Sequence, residues 1–190
     1  MSKYLLASLN SFFIILFAYF AFLSITSWQE SIELTGEIDI SIGSYLYLPL
    51  GAYAFCWVVF GKQGFPGQLL ISILMSLYWE LESSIFVQFA LINVLGPVVA
   101  IAIFRVLEVY KFKDFKSETS MAILFLCIVL ALINTLFKFL VYFMSDDQSS
   151  NAYEFLATYL QGDVIGSFVF IVFAKFVMGI FHLGNYHKKI

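Results

Sequence analysis

Six apolar runs, each close to the length needed to cross a bilayer and parted by short segments that hold most of the charges, restrict this chain more than any other feature. A transmembrane helix needs about 20 predominantly apolar residues. By that measure the runs fall at 4–25, 42–60, 65–79, 84–107, 119–144 and 153–181. Backbone groups within hydrocarbon must find their hydrogen bonds inside the segment, so such runs form helices. The expected fold is all-α: a polytopic membrane protein with six transmembrane helices, forming a single integral membrane domain over residues 1–190. The third run is short, and only Glu80-Leu81-Glu82-Ser83 parts it from the fourth, which predicts a tight helical hairpin. The last two runs exceed a perpendicular span, which predicts tilt or protruding ends.

Composition agrees. Apolar residues make up 62% of the 190 and charged residues 12%, against about 45–50% and about 25% in soluble domains. One domain of this size cannot hide such an excess, so a water-soluble globular fold is excluded, as is disorder. No polar stretch is long enough to form a kinase, cyclase, nucleotide-binding or DNA-binding module. The net charge of -3 gives no case for a nucleic-acid partner. Cys56 and Cys127 both sit in apolar runs without metal-ligand spacing and read as small buried hydrophobes.

The placement of charge sets the orientation. Lys3, Lys62, Arg105, Lys111, Lys113, Lys116, Lys188 and Lys189 all fall at the N-terminus, in the second and fourth loops, or at the C-terminus. The first, third and fifth loops carry no Lys or Arg; their charges include Glu30, Glu33, Glu37, Asp39, Glu80, Glu82, Asp146 and Asp147. This division predicts cytoplasmic N- and C-termini. Trp28, Tyr78 and Trp79 at outer ends, and Trp57, Tyr110 and Tyr186 at inner ends, read as interfacial anchors.

A search of the spans for reacting groups finds no HExxH, no pair of membrane aspartates and no GxSxG, so no catalytic residue, cofactor or metal site is expected. Away from their ends, the runs contain three charged residues: Lys138, Asp163 and Lys175. A charge at mid-bilayer costs at least about 2.5–3.5 kcal/mol, so each needs a partner, water or an escape. Lys175 is near enough to the cytoplasmic end to snorkel. Asp163 is ten residues in from Tyr153, about 15 Å along a helix axis. Lys138 lies at comparable depth in the preceding run, so an Asp163–Lys138 pair between the fifth and sixth helices is the simplest accommodation. Such a pair serves either to pin helix register or to form a polar, ligand- or proton-sensitive site. Gly162 and Gly166 flank Asp163 in a GxxxG spacing, which flattens one helix face for the approach of another backbone. Pro49 and Gly51 in the second run, and Asn93, Gly96 and Pro97 in the fourth, interrupt helical regularity and can line a polar interior or mark kinks.

Several of these residues fall in a familiar order. Leu46-Tyr47-Leu48-Pro49-Leu50-Gly51-Ala52, then Phe60-Gly61 and Phe65-Pro66-Gly67, resemble the Trp-Pro-Pro-x-Gly and Gly…Trp-Pro-Gly segments of the MASE1 family of bacterial membrane-associated sensor domains. Asn93-Val94-Leu95-Gly96 with the basic exit at Arg105 is similar to the next family segment, and Tyr159-Leu160-Gln161-Gly162-Asp163-Val164-Ile165-Gly166 to its terminal Trp-Leu-Gly-Asp-Ala-Leu-Gly motif. Tyr47, Leu48, Leu50, Phe65 and Tyr159 stand where the family has tryptophans or a second proline. The family usually adds further spans and a cytoplasmic output module such as a histidine kinase or a diguanylate cyclase. The resemblance therefore implies a minimal, output-less sensory or assembly module in the bacterial cytoplasmic (inner) membrane, multi-pass, acting through another integral membrane or signalling protein. Arg105, Lys111, Lys113 and Lys116 are the expected partner contacts. Membrane lipid is the surrounding solvent, and a small-molecule ligand and oligomer formation stay open. Two other readings compete: the substrate-binding subunit of an energy-coupling-factor-type transporter, and an accessory or scaffold subunit of a membrane complex.

Overall fold

The computed structural model describes residues 3–33, 46–78, 83–106, 120–144 and 152–186, which are helical almost throughout, with no strand among them. Helix α1 spans Lys3–Glu33, α2 Leu48–Phe60, α3 Phe65–Tyr78, α4 Ser83–Val106, α5 Ser120–Met144 and α6 Ala152–Tyr186. These six helices match the six apolar runs in order. Helix α1 continues past the end of its run because no Pro or Gly stops it between Thr26 and Glu33. Residues 42–45, the expected start of the second span, and Glu80-Leu81-Glu82 of the expected hairpin lie outside the described residues.

Two local features fix the ends of α2. Pro49 occupies the first turn, where a missing N–H costs nothing and the fixed φ suits the helix. Gly61 ends the helix in the left-handed region at φ 54°, its N–H donating to the Trp57 carbonyl; a side chain there would be strained. A single 3-10 turn, Gly61–Gln63, then leads into α3.

Helix α2 lies in the middle of the bundle. Around it run α1, α3, α4, α5 and α6, each packed on the next in that order, and α2 packs most closely on α1, α4 and α6. Ser11 of α1 lies by Cys56 and Tyr19 by Tyr47, so α1 and α2 are antiparallel. Tyr47 meets Gly162, Gly51 faces Ser167, and Phe55 stands edge-on to Phe170, so α2 and α6 run in the same direction. Every residue from Leu48 to Cys56 is buried, as expected for a helix that is apolar on all sides.

The outer surface is apolar, and a set of polar residues lies within the largely apolar interior. Phe13, Phe17 and Phe20 on α1, Leu132, Leu136 and Leu140 on α5, and Ile165, Val169 and Phe176 on α6 are exposed at helical spacing. Gln68, Ser72, Asn93, Asn134, Lys138 and Asp163 are buried. Water would not leave such a stripe uncovered in a soluble protein; lipid would. Among the described residues three helices are long and apolar enough to cross a membrane, over Lys3–Ser27, Met121–Leu140 and Leu156–Gly179, and Phe65–Tyr78 and Ala90–Ile103 are shorter apolar stretches.

Candidate functional site

Lys138 and Asp163, the two ionisable residues read from the sequence as a pair, are both buried in the interior where α5 and α6 face the start of α2. Asp163 is 1% exposed and Lys138 4%, and each lies within the other's electrostatic field. The carboxylate has further partners: its Oδ2 accepts from Asn134 Nδ2 at 2.6 Å and from Thr135 Oγ1 at 3.4 Å. Asn134 and Thr135 sit one turn before Lys138 on α5, so a single helix face supplies the ammonium and two neutral donors. Hydrogen bonds to an ionised acceptor are the stronger kind, and together these groups replace the water the carboxylate gave up.

The cation is held from the other side by aromatic faces. Lys138 Nζ stands 4.7 Å from the centroid of the Tyr47 ring and 5.4 Å from that of Tyr159, both within cation–π range. Tyr47 immediately precedes α2, and its position follows from the glycine pair in α6. Its N–H donates to the Gly162 carbonyl at 3.0 Å, and its backbone lies where any side chain on Gly166 would project. The GxxxG face therefore receives another backbone within the same chain, the one that brings an aromatic ring to Lys138. Gly51 makes the second close approach, since a Cβ there would stand 2.8 Å from Ser167 backbone atoms.

From Tyr47 the polar contacts lead inward. Its hydroxyl pairs with that of Tyr19 at 3.1 Å. Tyr53, one turn and a half along α2, faces the Tyr19 and Ser72 hydroxyls without meeting either in hydrogen-bonding geometry. Ser72 Oγ donates to the Ala90 carbonyl at 3.1 Å and accepts from Asn93 Nδ2 at 3.4 Å. Several buried polar atoms keep unused capacity, among them Asn134 Oδ1 beside the carboxylate and Ser167 Oγ one turn beyond it.

The remaining residues singled out from sequence are dispersed. Pro49 and Gly51 build the entry of α2. Asn93 lines the α3–α4 contact, and Pro97 is accommodated inside an α4 that stays helical through Val106. Arg105 lies in the last turns of α4, while Lys111, Lys113 and Lys116 lie outside the described residues. Cys56 and Cys127 are both buried free thiols. Trp57, expected to anchor at the interface, is half-buried and donates its indole N–H to the Val94 carbonyl at 3.0 Å. Tyr19 and Tyr53 escaped the sequence reading, which assigned them no role, and Tyr47 and Tyr159 entered it only as motif residues. Asn134 and Thr135 did carry a signal: they precede Lys138 by four and three residues, the spacing of one helix face. Among the described residues no three His, Cys, Asp or Glu side chains gather as a metal site would require.

Comparison with known protein families, with curated proteins and with solved structures finds no match to this chain.

Proposed function

We propose that this chain is an integral membrane sensory module of the membrane-associated sensor type, in which the Asp163–Lys138 cluster is the element whose state changes. The observation that carries the reading is a buried carboxylate and a buried ammonium within a bundle whose outside is apolar, with unused hydrogen-bonding atoms, Asn134 Oδ1 and Ser167 Oγ, beside them. Two charges in such a place are costly to desolvate, and apolar packing would often serve stability as well or better. A module that must respond to a charged or protonatable signal has a reason to keep them. A proton, or a small ion or ligand carrying charge, competes for the carboxylate or the ammonium and frees the other partner.

In this reading six spans cross a bacterial cytoplasmic membrane, both termini face the cytoplasm, and the basic segment that begins at Arg105 and includes Lys111, Lys113 and Lys116 engages a partner membrane or signalling protein. The division of basic residues supports the orientation, and the order of motifs supports the family. The test is purification of the tagged chain from native membranes in mild detergent, with the wild type and Asp163→Asn in parallel. A co-purifying kinase, cyclase or other membrane signalling protein, with output altered by Asp163→Asn at equal chain level, is expected. An ABC ATPase with its membrane coupler would instead assign the chain to transport.

A further inference from the structure

A second set of polar side chains lies on the other side of α2, near the Gly61–Gln63 turn, and none of it belongs to the Asp163 cluster. Gln68 of α3 is fully buried, and both atoms of its amide are without a hydrogen-bond partner. Ser11 of α1 is equally buried, and its Oγ is also unpartnered. The two face one spot: a Cβ built on Gly64 would run into Ser11 Oγ and come within 3.2 Å of Gln68 Nε2. Ser72 follows Gln68 by one helical turn on the same face of α3, and the unpartnered Tyr53 hydroxyl faces Ser72.

A donor and an acceptor on Gln68 and hydroxyls on Ser11 and Tyr53, all uncharged and closed off from the surface, suit a small molecule that both donates and accepts. Buried polar groups left over by the protein are the usual hosts of internal water, which makes about three hydrogen bonds to them. We propose that Ser11, Gln68 and Tyr53 bind internal water beside the Gly64 backbone, against which Ser11 Oγ packs. That water bridges Gln68 to Tyr53, and Tyr53 faces the Tyr19–Tyr47 hydroxyl pair. The polar interior then runs continuously from Asp163 to the Gly61 end of the bundle. The assignment of water stands apart from the sensory reading, because none of these three residues touches Asp163 or Lys138.

Two buried thiols provide the test. Cys56 and Cys127 are each 0% exposed and both lie in the hydrophobic core, but Cys56 Sγ lies 3.9 Å from the Ser11 carbonyl, beside the proposed water, whereas Cys127 is on α5. Synchrotron radiolysis of the full chain in lipid nanodiscs generates hydroxyl radicals from internal water, and mass spectrometry reads the oxidation. Cys56 is expected to oxidise at least several-fold faster than Cys127, with Tyr53 modified as well. Equal rates for the two thiols in the wild type would overturn the proposal. Gln68→Met supplies an independent sign. If the amide holds water, the variant melts below the wild type and Cys56 oxidation slows toward that of Cys127. If the amide is simply unpaired, removing it raises the melting temperature and leaves the oxidation rates unchanged.

Discussion

The N–H of Tyr47 donates to the carbonyl of Gly162 across 3.0 Å, joining the entry of the central helix to the turn of α6 that carries Asp163. The bond forms because Gly166 offers no side chain to hold the two backbones apart. Replacing Gly166 by Ala would drive a Cβ into the Tyr47 backbone, which cannot move without withdrawing its ring from Lys138. A loss of about 1–3 kcal/mol is expected, the usual range for overpacking. Gly179, on the same helix, has nothing within 4 Å of its Cβ position. There Ala should be neutral or stabilising by up to about 1 kcal/mol through helix propensity. Reversible unfolding in mixed micelles would compare the two, and equal losses would refute the close approach.

Lys138 and Asp163 should behave as a coupled pair in the same assay. Asp163→Asn or Lys138→Met alone leaves the other charge buried, a loss of about 3–5 kcal/mol. The double variant should recover much of it, since neither charge then remains. Simple addition of the two losses would mean that the residues do not interact.

Tyr47 contributes through two separable groups. Tyr47→Phe removes the hydroxyl pair with Tyr19 and keeps the ring over Lys138, for a loss of about 1 kcal/mol. Tyr47→Leu removes the ring as well and should cost about 0.5–2 kcal/mol more through the cation–π contact. If Lys138→Met is already present, the difference between Phe and Leu at position 47 should shrink.

The topology expected from charge is open to direct measurement. Reporter fusions after Glu33, Glu82 and Gln148 should read periplasmic, and those after Lys62, Lys113 and Lys189 cytoplasmic. A periplasmic C-terminus would rule out six spans.

Helix number and order were legible in the sequence because hydropathy reports directly on which segments must be dehydrated. That Lys138 and Asp163 share one buried region was legible for a related reason: charges are scarce in the spans, and two at similar depth have few alternatives. Gly162 and Gly166 predicted a backbone approach but not whose backbone, since spacing on one helix says nothing of its neighbour. The place of Tyr19, Tyr47 and Tyr53 was not readable. Tyrosine is at home at an interface and in a core alike, and only the enclosure of α2 decides between them.

That enclosure also divides the molecule in its dealings with the bilayer. At 13 residues, α2 is about 20 Å long, well short of the roughly 30 Å hydrocarbon core, and its buried stretch from Leu48 to Cys56 meets protein on every side. Lipid thickness, tension and composition therefore act on the five surrounding helices and on the last turn of α2, where Val59 is 46% exposed, and reach the buried stretch of α2 only through those helices. A small sliding or rotation of that buried stretch would change the perimeter seen by the lipids only at the last turn of α2, so the membrane would exact little elastic work for it.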